Sequence, residues 1–314
     1  TGEIEAAAAG QLPTLIEAGP RRRAIASRWL RLCGAFLLAL SLAAAAGCGS
    51  AAAERKQREK KADFHYKLAL GYFHESNVDL SIRELVRSFD FDADNADSRY
   101  LYGFILFGRK RYEEAASNFR HALSRRASFF AARNHLGVTY LELERYHEAI
   151  ETLLPLLREA TYTTPYLPHN NIGWAYLKQG DLRNAEKHMR MAVFLNPKFC
   201  LGHRNLGLLA MERRDFRAAV EHLEAATTRC TAFGAAWMQL AEALIALGPP
   251  RSHEAQDAFK RCFTLEGDTL IGRRCRARII GPLPDPKARG RQSDTLAPGS
   301  GWQTPPQGSQ GGSQ

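Results

Sequence analysis

The sequence predicts an all-α fold, a solenoid of six stacked helical hairpins closed by a C-terminal capping helix. Three observations predict it. Small residues recur at Ala69, Gly103, Gly137, Gly173, Gly207 and Ala241, with gaps of 34, 34, 36, 34 and 34. Each follows a large residue: Leu68, Tyr102, Leu136, Ile172, Leu206 or Leu240. A second small residue stands twelve positions on at Ser81, Ala115, Ala149, Ala185 and Ala219, and fourteen on at Ala255, behind the Pro249-Pro250 insertion. Four residues further lie Leu85, Phe119, Leu153, Met189, Leu223 and Phe259. Self-similarity at a fixed period of this length marks an architecture whose units bury their apolar faces only against their neighbours.

From the N-terminus, residues 1–47 read as an upstream extension and a signal peptide. Residues 21–31, RRRAIASRWLR, form a positive start. Leu32 to Gly47 is an apolar run that ends in small residues, AAAAG, directly before Cys48. A charged start, a short apolar stretch and a small-residue cleavage site define a secretory signal. Sixteen residues are short for a membrane span, which needs about 20. The placing of Cys48 makes the segment resemble a bacterial lipobox, with Ala45 where Leu is commoner. That resemblance implies cleavage before Cys48 and acylation of its sulfur and amine. Gly49 follows, not the Asp of inner-membrane retention, so the implied anchor is in the outer membrane. Residues 48–61 read as the lipidated tether, its part from Ala51 to Lys61, with the charge run ERKQREKK, being a solvated tether or an N-terminal extension of the first helix.

The six units are 62–95, 96–129, 130–165, 166–199, 200–233 and 234–269. In each, a small residue on both helices lets the pair approach closely, and large neighbours fill the space to the next hairpin. The fourth copy, YLPHNNIGWAYLKQGDLRNAEKHMRMAVFLNP, shows the pattern nearly whole. Its wording resembles the tetratricopeptide repeat (TPR), which implies a right-handed superhelical solenoid. Residues 267–280, GDTLIGRRCRARII, read as the capping helix, with Arg273, Arg274, Arg276 and Arg278 as a basic face. Residues 281–314 are rich in Pro, Gly, Ser and Gln and have too little apolar content to order themselves.

The chain carries 43 basic and 33 acidic residues, for a formal charge of +10. The basic residues mostly alternate with acids along the helices, which is a solvated surface and not a nucleic-acid stripe. No Gly-rich phosphate loop, zinc-protease helix or nucleophile elbow occurs. The ten His follow helical spacing. These features predict a binding scaffold with no catalytic residues, no cofactor, no metal and no small-molecule substrate.

Cys33 leaves with the signal and Cys48 takes the lipid, so Cys200, Cys230, Cys262 and Cys275 are left. An even number in an exported chain suggests disulfides. Antiparallel helices bring Cys200 and Cys230 to the same end of one hairpin, and Cys262 and Cys275 join the last hairpin to its cap. Buried free thiols are the other reading, and spacing does not fix the connectivity.

In a TPR array, set positions of each first helix face a concave groove. Here they are Tyr66, Leu70 and Phe73, then Tyr100, Phe104 and Phe107, then Asn134, Val138 and Leu141. Asn170, Trp174 and Leu177 follow, then Arg204, Leu208 and Met211. The run of aromatics predicts an apolar helix or extended segment as occupant; core packing of some rings is the competing reading. Asn171 and Asn205 match a common consensus position. The Lys/Asn clamp of chaperone-binding TPRs is not matched, so capture of a C-terminal carboxylate is not expected.

A lipobox followed by six TPRs resembles the PilF/PilW family of type IV pilus lipoproteins. RYEEAASNFRHAL, HNNIGWAYLKQGDLRNAEKHMRMA and HRNLGLLAMERRDFRAAVEHL in repeats 2 to 5 resemble its myxobacterial Tgl branch. The resemblance covers roughly residues 48–280. It implies a pilotin, anchored in the outer membrane and facing the periplasm, that binds secretin subunits and promotes their assembly. The alternative is a TPR lipoprotein that scaffolds cell-wall hydrolases or proteases.

Overall fold

The structure, a computed structural model, describes residues 51–279. The chain divides into two compact units, Thr1–Lys60 and Lys61–Gln314. In the first, residues 51–60 are helical. The second holds only helices and turns among its described residues. They pair in chain order: α1 (61–74) with α2 (Val78–Phe91), α3 (Ala96–Gly108) with α4 (Tyr112–Arg125), and α5 (Phe130–Glu142) with α6 (Tyr146–Leu153). Then come α7 (Tyr166–Lys178) with α8 (Leu182–Leu195), α9 (Cys200–Glu212) with α10 (Phe216–Arg229), and α11 (Gly234–Leu247) with α12 (Ser252–Glu266). A short α13 (Leu270–Arg276) packs on α11 and α12. The apolar clusters each draw on adjacent hairpins only, as a solenoid requires. No described helix is long and apolar enough to cross a membrane.

Close approach is visible at the small positions. A Cβ added to Gly137 would lie 2.4 Å from Leu153 Cγ, and one added to Gly207 would lie 2.5 Å from Leu223 Cγ. Ala115, Ala149, Ala185 and Ala219 on the second helices are wholly buried. The interior therefore has no room for a larger side chain at either crossing partner.

The turn inside the first five hairpins repeats as well, while the sixth turns at Gly248, with φ 118°. Ser76, Lys110, Glu144, Gly180 and Arg214 all take the left-handed conformation, with φ between 58° and 80°. The next residue then donates its N–H back five positions, as in Asn77 to Tyr72 O at 2.8 Å and Asp215 to Ala210 O at 2.9 Å. This closes the end of the first helix by satisfying its free carbonyls. Asn77, Asp181 and Asp215 then cap the second helix, accepting from the N–H of Leu80, Asn184 and Ala218.

Two places depart from the pattern. In the third hairpin α6 has eight residues, and Leu154–Arg158 continue as a 3-10 turn that contains Pro155. Proline cannot donate to an α-helical ladder, and the two extra residues of this repeat lie in the connection that follows. The capping helix is shorter than the 267–280 expected. Gly267 has φ 55° and Thr269 caps the helix by accepting from Gly272 N–H at 3.1 Å, so α13 begins only at Leu270. Arg273, Arg274, Arg276 and Arg278 are exposed.

Cys200 is bonded to Cys230 and Cys262 to Cys275, with Cα separations of 6.0 and 6.1 Å. Cys48, expected to carry the lipid, the expected signal segment and residues 281–314 lie outside the described residues.

Two substitutions test this account. Arg214→Gly relieves a left-handed non-glycine residue and should raise stability by about 0.5–1 kcal/mol in urea unfolding. Gly207→Val should lower it by about 1–3 kcal/mol, because Leu223 is fully buried and has little space to yield. An unchanged midpoint in either variant would contradict the geometry it probes.

Candidate partner-binding groove

The rings expected to line the groove divide into two sets. Tyr100 is 1% exposed and belongs to the interior. Its ring lies 4.7 Å from Phe129 and 5.9 Å from Phe119, and its hydroxyl is 3.3 Å from His135 Nδ1. Burial pushes its hydroxyl pKa well up. Tyr66 and Phe107 are also buried, the latter edge-on to Tyr112 at 5.0 Å. These three aromatics are walls of the core and not contact surface. Leu70, Phe73 and Phe104 are half-buried, with Phe73 edge-on to Phe104 at 5.7 Å. Leu177 packs beside Ala185 and Met189, Met211 joins the C-terminal cluster, and Leu208 is half-buried.

The open space is further along, between α5, α7 and α9. A pocket of about 320 Å³ is lined by the expected Val138, Leu141, Asn170, Trp174 and Arg204. It is also lined by Glu142, Glu144, Tyr146, Asn171, Lys178, Leu201 and Asn205. Sequence reasoning set Asn171 and Asn205 aside as consensus residues and passed over the two glutamates and Lys178. The glutamates and Lys178 stand at or just past helix ends, where repeat spacing alone gives no face. Asn134 of the neighbouring repeat is buried and outside this lining.

The floor of the pocket is polar. Asn205 Nδ2 donates to Asn170 Oδ1 at 2.9 Å, and Asn170 Nδ2 to Asn171 Oδ1 at 3.3 Å. Arg204 Nε donates to Gln239 Oε1 at 2.7 Å, and its Nη1 to Asn205 Oδ1 at 3.4 Å. Burial lowers the Arg204 pKa to about 10, which leaves it charged at neutral pH. One wall is apolar and carries Trp174, with Lys178 Nζ 4.8 Å from its ring centre. Such a surface suits a peptide that brings apolar and charged groups together.

Histidines lie behind the groove in equivalent places. His169 and His188 face each other with Nδ1 atoms 3.1 Å apart, and 34 residues on His203 and His222 have ring centres 6.4 Å apart. Burial lowers the pKa of all four, and His188 falls to about 4. Fully enclosed His135 also falls to about 4, again through burial.

Comparison with known proteins follows this geometry. The description "Anaphase-promoting complex, cyclosome, subunit 3" matches residues 84–156, and "Tetratricopeptide repeat" matches residues 168–199 and 204–249. With the repeated hairpins, these matches define a tetratricopeptide repeat protein. Within that class the chain is homologous to the type IV pilus assembly protein PilF of Pseudomonas aeruginosa, at 23% identity over 141 residues. That match covers 45% of this chain and 56% of PilF. A mitochondrial tetratricopeptide repeat protein 19 homolog of Drosophila melanogaster is 28% identical over 36% of each chain. The chain thus spans about half or less of these relatives' lengths. Among solved structures, PilW, a type IV pilus biogenesis factor, matches with a TM-score of 0.61 at 19% identity, over 68% of this chain and 97% of PilW. The P. aeruginosa PilF structure matches with 0.57 at 18% identity, over 70% and 99%. At these identities the structural likeness shows a shared fold.

The histidines predict an acid-sensitive fold. Between about pH 6.5 and 4 the unfolded chain protonates His135 and His188 while the folded chain does not, so stability is lost as pH falls through that window. The urea midpoint at pH 5 should lie below that at pH 7, with the His135 and His188 ring signals in NMR unshifted between the two. A His135 that titrates near 6.5 would remove the cause.

Proposed function

We propose that this chain is a pilotin: an outer-membrane lipoprotein that binds type IV pilus secretin subunits and promotes their assembly into the multimeric pore. The observation that carries the proposal is the sequence similarity to PilF across the repeats. The lipobox-like segment before Cys48 and two disulfides in the C-terminal repeats both accord with export to an oxidising compartment. In this reading Cys48 carries acyl chains, and several chains give stable anchoring where one would be marginal. The repeats face the periplasm and hold an apolar secretin segment in the groove. Tethering confines protomers near the membrane plane and raises their local concentration, so assembly needs no chemistry from the scaffold. Pilus formation, and with it twitching or social motility, depends on the pore. Membership of the myxobacterial Tgl branch is part of the same proposal.

Gene deletion, with immunoblotting of outer-membrane fractions for heat- and detergent-resistant secretin multimers, tests it. Multimers should vanish while monomer persists, then return with the wild-type gene and not with Cys48→Ser. Multimers unaffected by deletion would end the pilotin reading and direct attention to cell-wall hydrolases or proteases as partners.

A further inference from the structure

Arg204 is a cation without an anion. It stands fifth in α9, where α7 has Asn170, α5 has Asn134 and α3 has Tyr100. Its hydrogen bonds run to the neutral side chains of Gln239 and Asn205, and its guanidinium lies 5.7 Å from the centre of the Phe233 ring. No carboxylate pairs with it among the described residues. Arg126, Arg213 and Arg251 are by contrast paired with Asp97, Glu186 and Glu224, while Arg99 also bonds only neutral groups but lines no such pocket. Arg204 is half-buried, and withdrawing part of a guanidinium from water costs free energy that neutral partners return only in part. The pocket of about 320 Å³ that Arg204 lines is therefore short of one negative charge.

The pocket is also polarised along the helices. Glu142 and Lys178 are each thirteenth in their helices, eight positions beyond the level of Asn170 and Arg204. At the helical rise that is roughly 12 Å, about three to four residues of extended chain. One end presents a single guanidinium and three amides, the far end Glu142, Glu144 and Lys178, and Val138, Leu141 and Trp174 lie among them.

We propose that Arg204 is the anchor for an aspartate or glutamate side chain, carried within an apolar segment of the bound partner, whose apolar residues rest on Trp174, Leu141 and Val138. The proposal rests on the reading of the groove as a partner site. A planar guanidinium meets one carboxylate with two parallel N–H···O bonds, so a single acidic side chain matches what is present. A free chain end is a poorer fit. The second cation, Lys178, lies roughly 12 Å away at the other end by the same helical rise, beside two glutamates that would repel a carboxylate. Those glutamates also set direction, because an acidic residue is favoured at the Arg204 end and disfavoured at theirs.

The test is selection from two random dodecapeptide libraries on the full-length chain, immobilised in detergent. In one library both peptide ends are continued into the carrier; in the other the C-terminus is free. Enriched peptides should carry Asp or Glu beside apolar residues in the internal library. Replacing that acid by its amide should weaken binding about ten- to a hundredfold in fluorescence polarisation. Arg204→Gln should erase the difference between acid and amide peptides, and Arg204→Lys should retain part of it, which also covers the case of a misfolded Gln variant. The proposal is overturned by enriched peptides without an acid, by enrichment confined to free C-termini, or by no enrichment at all. It is equally overturned by an acid preference that survives in Arg204→Gln. Neither library contains secretin, so a wrong partner identity in the pilotin reading leaves these outcomes unchanged.

Discussion

The contact on which the rest of this molecule depends is the backbone-close crossing of the two helices within each hairpin. Gly137, Gly173 and Gly207 have side-chain atoms of Leu153, Met189 and Leu223 where their own Cβ would be. That notch fixes how far the second helix slides along the first. Because the notch recurs every 34 or 36 residues, the fifth and ninth positions of successive first helices face the same way. Asn170 and Arg204 thereby become neighbours, as do Val138 and Trp174 around one pocket. The groove is a consequence of core packing, and a change at the crossing would move the groove with it.

The polar side of the groove stands against that stability. Buried amides are tolerable when bonded to one another, as Asn205, Asn170 and Asn171 are. Arg204 goes further, since its hydrogen bonds are made but its charge is not neutralised. A fold under selection for stability alone would gain from an apolar residue or a carboxylate partner there. Local rules broken without compensation tend to mark sites of function. The acid-sensitive histidines are a different matter, because their low pKa values follow chiefly from burial.

The repeats were legible because their signal is steric: only small residues fit the crossing, and the spacing shows in plain sequence. The left-handed turn was not legible. Ser76, Lys110, Glu144, Gly180 and Arg214 share a conformation but no chemistry, so no residue type announces it. The groove was half legible. Helical register places Tyr100 on the concave side, yet Phe119, Phe129 and His135 close over it, which depends on neighbours from α4, α5 and the connection between them at once. Trp174 and Arg204 were found by the same rule and do line the pocket, whereas Glu142 and Glu144 escaped because they belong to a helix end and a turn.

The covalent ties bear on the same site. Cys200 opens α9 next to Leu201 and four residues before Arg204, both of which line the pocket. Its bond to Cys230 joins that end of α9 to the residue that follows α10. A helix end held in this way frays less, and a cross-link over a 30-residue separation restricts the unfolded chain enough to contribute about 3 kcal/mol. Cys262 and Cys275 secure the cap at the far side of the last hairpin. Both ties therefore fall in the half of the solenoid that carries the uncompensated arginine, where desolvation works against the fold. The Cys200–Cys230 bond thus holds the end of α9 that carries Arg204.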